Sequence, residues 1–371
     1  MKKKLLALVC ALVMIFSLAS CGLSTPDTVG KVGDFEVSSG LYLLAQFSAY
    51  QQAAQLAGKD QDATDVKAFL KETITTDADS GETAVVQDYV ADKTLETLRT
   101  FAAIDARFAE LGGELTAEQT QVADNYAQQL MDQYGSTYTA NGIGLETLKA
   151  FERIQLKHTL LLTLVYGPDG ESPVDDSDLT EHLDSQMYEL AYVNIPLYNT
   201  STFVFAPDAQ MLQLAQAAAA SCSETQDGSV SEQVSALHSA ASAALPDIYA
   251  VLDSTPAEDA SSVQTELLTE SDLTGAFTQD GAADAVRGLV YGEAAAVQYN
   301  AASIILMMRI DPLQVSTLDA LRTQILSDMK GDELEDALTA YGSTLENDLS
   351  TSAMNKMPAS KIVNPSSSSN S

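Results

Sequence analysis

Few residues in this chain are suited to covalent or acid–base chemistry. The 371 residues include three histidines and three cysteines. His158 falls between Ile154 and Leu161 on an apolar helical face, the setting of a core-edge histidine with a satisfied ring nitrogen. His182 lies among Glu181 and Asp184, but a metal site there needs a second histidine or a calcium-loop pattern, and neither is present. His238, in SALHSA, has nothing to partner it, and no Gly-x-Ser-x-Gly elbow occurs. Gly142-Ile143-Gly144 lacks the third glycine and the preceding strand of a dinucleotide loop. Cys222 ends an alanine-rich run with nothing basic beside it, and reads as a small hydrophobe. These residues point to no catalytic, cofactor or metal site.

Cys21 is different. Lys2, Lys3 and Lys4 precede an apolar stretch, residues 5–19, that is too short to span a bilayer, and Leu18-Ala19-Ser20-Cys21-Gly22 closes it. This resembles the lipobox of bacterial lipoproteins, in which the cysteine receives diacylglycerol. The resemblance implies a signal peptide at 1–20 and a lipidated linker at 21–27. It also implies attachment at Cys21 to the extracytoplasmic face of the cell membrane. Cys10 would leave with the signal, so Cys222 has no partner for an intrachain disulfide and burial must supply stability. The 19 basic residues less those three lysines leave 16 against 52 acidic ones, a formal charge of −36. Such a surface repels nucleic acid and anionic head groups, which excludes nucleic acid as a partner. Membrane attachment then falls to acyl chains, at about 0.8 kcal/mol per buried methylene.

The elements begin with TVGKVGDFEVSSGLYLLAQF, where Gly33-Asp34 makes a turn between two strands. Ser38 or Ser39 then caps a helix with Leu41, Leu44 and Ala45 on one face. The spacing predicts a long helix over 84–111, stopped by Gly112-Gly113. A Thr116/Gln119 capping box opens the next helix, whose apolar stripe is Val122, Tyr126, Leu130 and Tyr134. Another helix runs from Leu145 to Gly167, so the first region is all helix after its opening hairpin. An acidic helix start at VDDSD follows. Val193, Ile195 and Leu197 then alternate with Tyr192, Asn194 and Pro196, a strand whose proline marks an edge or an end. Residues 208–245 read as alanine-rich helix broken at Asp227-Gly228, and residues 246–282 as loops with short helical pieces. In YGEAAAVQYNAASIILMMRIDP, residues 291–312, a Gly-Glu turn leads to two closing strands. Leu318, Leu321, Ile325 and Met329 then form a helix that Gly331 interrupts, with Asp332 and Glu335 capping a second through Leu334, Leu338 and Tyr341. The NPSSSSNS tail is disordered by composition.

In the order of these parts the chain resembles the PrsA/SurA-type extracytoplasmic foldases. VGKVGDFEVSSGLYLL looks like the family's opening hairpin and first helix, and VDDSDLTEHLDSQMYELAYVNIPL is similar to its approach to the first parvulin strand. DAVRGLVYGEAAAVQYNAASIILMMRI looks like its final helix, Gly-Glu turn and two strands. The resemblance implies an α+β, mostly α fold. A helical SurA-N-like domain would be built from residues 28–178 and 313–363, with a parvulin-like α+β domain inserted at 186–312 and a disordered tail at 364–371. Parvulins carry one histidine in the first strand, within His-Ile-Leu, and another in the last strand before paired isoleucines. Here Asn194 precedes Ile195, Ser303 precedes Ile304-Ile305, and the family's Gly-Gly-rich loop is not evident. Those degenerate positions imply loss of the polar network that helps lower the barrier to prolyl rotation, about 18–20 kcal/mol uncatalysed.

The expectation is a membrane-anchored extracytoplasmic chaperone that binds unfolded or newly secreted polypeptides, without a cofactor and without isomerase activity. Two alternatives stand beside it: an active, divergent peptidyl-prolyl cis-trans isomerase, and a solute-binding lipoprotein. The last usually needs two α/β lobes and an aromatic-rich cleft. This chain has no tryptophan and reads as helices enclosing one small α+β unit.

Overall fold

The computed structural model describes residues 26–59, 64–78, 80–199, 201–205 and 209–364. Cys21 and the residues after Asn364 lie outside them. The chain forms two compact units, one running to Leu164 and resuming at Asp332, the other being Val165–Gly331. The architecture is α+β and mostly helical, with the second unit inserted in the sequence of the first.

In the discontinuous unit, β1 (Thr28–Val32) and β2 (Phe35–Ser38) pair antiparallel. Ser38 Oγ accepts from Leu41 N–H at 3.2 Å and so caps α1 (Ser39–Leu56). α2 (Val66–Phe69) leads into a second hairpin, β3 (Thr73–Asp77) with β4 (Glu82–Val85). The sequence reading has only helix here. The threonines of these strands suit a pleated surface, but Ile74 is their one buried residue, so no alternation of apolar residues betrays them. α3 (Val86–Glu110) buries Val90, Leu98, Phe101 and Phe108. α4 (Ala117–Ala140) starts with the Thr116/Gln119 capping box. α5 (Leu145–Tyr166) pairs with α4 through Arg153, whose Nε and Nη2 donate to Asp124 at 2.9 and 2.8 Å. That guanidinium holds the Asp124 carboxyl below the usual range.

The inserted unit opens with α6 (Asp176–Gln186) and β5 (Met187–Pro196), followed by α7 (Ala209–Ala220) and α8 (Val230–Val251). Next come β6 (Gln264–Thr269), α9 (Glu270–Ala276), α10 (Ala282–Arg287), β7 (Ala294–Asn300) and β8 (Ser303–Arg309). The four strands form an antiparallel sheet in the order β6-β5-β8-β7, so β5 is central and Pro196 marks its end rather than an edge. One face, with Val193, Ile195, Leu306 and Met308, packs under α7 and α8. The other, with Leu190, Ile305 and Met307, packs with Leu273 and Val286 of α9 and α10. Two expectations need correction. α8 continues through Pro246, held by the buried Leu245 and Ile248 on either side, although proline removes one helical hydrogen bond. Residues 246–282 also contain β6, an edge strand whose first three residues are exposed, which hides its period.

After α11 (Pro312–Val315), α12 (Leu318–Thr344) passes through Gly331 without the expected break. A mid-helix glycine costs about 1 kcal/mol, which burial of Ile325 and Leu326 before it, and of Leu334 and Leu338 after it, outweighs. The division between units therefore falls inside α5 and α12 rather than at 178/186 and 312/313. Leu318, Leu321 and Ile325 belong with the inserted unit. There Arg322 Nη2 donates to Asp176 at 2.8 Å and Gln324 Nε2 to Leu267 O at 3.2 Å. Beyond Asp332 the chain packs on the N-terminal helices, and a Cβ at Gly342 would stand 2.8 Å from Arg99 O, so only glycine permits that approach. β9 (Asn347–Leu349) joins the first hairpin in the order β2-β1-β9, and α13 (Thr351–Met354) follows.

Candidate functional site

Asn194 and Ser303 fall on the two central strands of the inserted sheet. Asn194 pairs with Ile305 and Ser303 with Pro196, so both point to the same face. Such diagonal neighbours are roughly 7–8 Å apart, within reach of long or aromatic side chains. An amide and a hydroxyl are too short to meet across it, and neither side chain makes a hydrogen bond among the described residues. Asn194 is exposed and Ser303 is buried. The apolar floor nearby comes from Ile305 and Val297, and Phe277 packs on Tyr299 with ring centroids 5.3 Å apart.

Further along the same face the charged groups are committed to structure. Tyr192 Oη donates to Glu266 at 3.1 Å and Tyr188 Oη to Glu270 at 3.3 Å. Arg287 Nε donates to Glu270 at 3.1 Å and holds its carboxyl below the usual range. Burial, reinforced by those carboxylates, pushes both tyrosine phenols up. Arg309 lies over the rings of Tyr188 and Tyr291 at 5.0 and 5.1 Å. The arrangement offers contact area on this face of the sheet.

Two of the histidines join helices and the third reaches a turn. His158 Nε2 lies 3.0 Å from Glu335 on α12, and His182 Nε2 lies 2.7 Å from Asp328. His238 Nδ1 is 2.8 Å from Ser261 O. Cys222 is buried, which pushes its thiol up. Among the described residues no group of three His, Cys, Asp or Glu side chains could hold a metal ion, and no helix is long and apolar enough to cross a membrane.

One apolar surface, the stripe expected on α4, is more exposed than its period suggests, and a second has no counterpart in the sequence reading. On α4 the large stripe faces largely outward, with Val122 61%, Tyr126 55% and Tyr134 47% exposed, while Ala123 and Ala127 are buried. Ala127 packs with Leu130, Met131 and Tyr138 in the cluster around Phe47, and Asp124 makes the Arg153 pair. The i, i+4 spacing of Ala123 and Ala127 was the available signal. The second surface is the turn after β5. Asn199 Oδ1 accepts from the N–H groups of Ser201 and Thr202 at 2.9 and 3.0 Å, and its Nδ2 donates to Leu252 O at 2.9 Å. Phe203 sits at φ 56°, in the left-handed region that bulky side chains rarely adopt, and is 73% exposed beside exposed Val204 and Phe205.

No family model matches this chain, and no curated protein is similar enough to it to count as a match. Among solved structures it is similar to the foldase protein PrsA from Streptococcus pneumoniae. Sequence identity is 12%, the match covers 76% of this chain and 97% of that one, and the TM-score is 0.35. At that identity and score the likeness establishes neither family nor function.

Proposed function

We propose that the chain is a lipid-anchored, extracytoplasmic chaperone that binds unfolded or newly secreted polypeptides and does not catalyse prolyl isomerisation. The observation that carries this reading is the outward part of the α4 stripe, with Val122, Tyr126 and Tyr134 exposed while Leu130 packs inward. A rigid helix displaying large apolar side chains gives an unfolded chain a place to lay its own apolar segments. The strained turn at Phe203 adds a second such surface. Asn194 and Ser303, without a hydrogen bond between them, support the absence of isomerase chemistry. Release of the client then depends on weak binding and mass action.

Light scattering of a refolding client tests this reading, using the soluble chain from Gly22 onward at substoichiometric to equimolar ratio. A prolyl-peptide isomerisation assay runs beside it. Suppressed aggregation with an uncatalysed isomerisation rate is the expected result. If aggregation is unchanged while a small solute raises the melting temperature, the chaperone reading fails and solute binding replaces it. Isomerisation that accelerates in proportion to the chain makes it a divergent isomerase.

A further inference from the structure

The last described residues form a strap across the discontinuous unit. After α13, residues 355–364 pass α1, α3 and the turn between α4 and α5. Within that stretch only Met357 is buried, at 2% exposure, while Ala359 and Ile362 are half-buried. Ala359 packs against the cluster around Phe69, and Ile362 against that cluster and the one around Phe47.

The surrounding side chains hold this strap by its backbone, and at its end Asn364 Nδ2 donates to Thr64 O at 2.7 Å. Gln46, only 5% exposed, donates from Nε2 to Met357 O at 3.2 Å. Asn141 Nδ2 donates to Val363 O at 2.8 Å, and Asn141 Oδ1 accepts from Val363 N–H at 2.9 Å. A side-chain amide that engages both the N–H and the C=O of one residue imitates a β-ladder pair and reads no side chain. The strap also leaves space beside it. A cavity of 320 Å³ lies towards α3, bordered by Val90, Leu95 and Ala359. Another of 450 Å³ lies towards the α4–α5 turn, bordered by Leu43, Thr139 and Ile362. Gln46 and Pro358 border both. Residues 350–364 carry Lys356 and Lys361 and no acid, and Lys361 borders the second cavity together with Asp27.

We infer that this groove receives an extended polypeptide with apolar side chains about five residues apart and a basic residue just before each, and that the strap is its tethered occupant, displaced when such a segment binds. The inference deepens the polypeptide-binding reading above and rests on it for the source of the segment. Backbone-directed amides suit a receptor that must accept many sequences. The adjoining cavities leave room for side chains larger than Met357 and Ile362. A strap with one fully buried side chain can leave without opening the core.

The test uses the soluble chain and a fluorescein-labelled peptide of residues 354–364. Excess peptide should speed hydrogen exchange at the strap amides of Met357 and Val363 while α1 and α3 stay protected. A tethered competitor acts at an effective concentration of order mM, so Met357→Ser with Ile362→Ser in the chain should tighten peptide binding by about tenfold or more. The same two changes in the peptide should abolish binding, and exchanging its lysines for glutamate should weaken it. The inference is overturned if the strap stays protected with peptide bound. An unchanged affinity in a strap variant that melts as the parent does also overturns it. Should that variant not fold, hydrogen exchange on the unsubstituted chain decides alone. Peptide binding without suppression of client aggregation leaves the groove assignment standing and removes the chaperone reading. Suppression with a strap that never deprotects does the reverse.

Discussion

Replacing Val122, Tyr126 and Tyr134 together by serine should remove most client binding while leaving the fold intact. With about 200 Å² per tyrosine side chain and about 150 Å² for valine, their 55%, 47% and 61% exposures amount to roughly 300 Å². Full coverage by a client is worth about 7 kcal/mol at 25 cal/mol per Å². A client covering half of it loses about 3 kcal/mol in the triple variant, roughly a hundredfold in affinity. Native stability should change by about 0.5 kcal/mol or less, because the three side chains already face water. For a chain of two such units that is a shift of about 2 °C or less in Tm. Anisotropy with a labelled unfolded client gives the affinity, light scattering gives the suppression, and calorimetry gives Tm. A triple variant that binds and protects the client as the parent does would refute the assignment of the stripe. A Tm lowered by much more than that would show that the stripe is packed and the exposure argument mistaken.

Three further outcomes follow from the same residues. With Asn194 and Ser303 in place, a proline-containing peptide should isomerise at its uncatalysed rate in a protease-coupled assay. Acceleration that scales with protein and disappears in Asn194→Ala contradicts this. Cys21→Ala should abolish acyl labelling and move the chain out of the membrane fraction, and labelling that persists in the variant rules out the lipid anchor. His158 holds the Glu335 carboxyl below its ordinary range, so the ionised form is favoured by the fold. Its contribution is complete above the unfolded pKa of about 4.3 and is lost as pH falls through the depressed folded value. Because Glu335 is half exposed the effect is about 0.5 kcal/mol or less. Urea midpoints between about pH 6 and pH 3 should therefore fall less steeply for Glu335→Gln than for the parent, and equal slopes would show that the pair contributes nothing.

The parts of the fold that were legible are those in which local chemistry and burial agree. Ser38 and the Thr116/Gln119 box start their helices as their side chains dictate. The alternation through Val193, Ile195 and Leu197 belongs to a central strand whose odd-numbered face is buried. What was hidden had a weak local signal. The β3–β4 hairpin buries little, and β6 is an edge strand with three exposed leading residues. Gly331 and Pro246 are helix breakers by propensity, yet buried leucines and isoleucines on both sides keep their helices intact. Propensity loses wherever tertiary packing spans the weak residue.

The same distinction explains which site residues could be found. Asn194 and Ser303 were singled out by the resemblance to parvulins, and the strand register then brings these residues, more than a hundred apart in sequence, onto one sheet face. The amides that hold the strap had no such guide, since Gln46 and Met357 are separated by 311 residues and Asn141 and Val363 by 222. The α4 stripe failed for the opposite reason: its pattern was clear, and its meaning was inverted. Period 3.6 identifies an apolar face, and the usual inference buries that face. Ala123 and Ala127, with Leu130, Met131 and Tyr138 beside them, give the helix another way to pack and leave Val122, Tyr126 and Tyr134 outside. On the reading proposed above, the exposed Val122, Tyr126 and Tyr134 would be the surface on which such a helix holds the apolar segments of another chain.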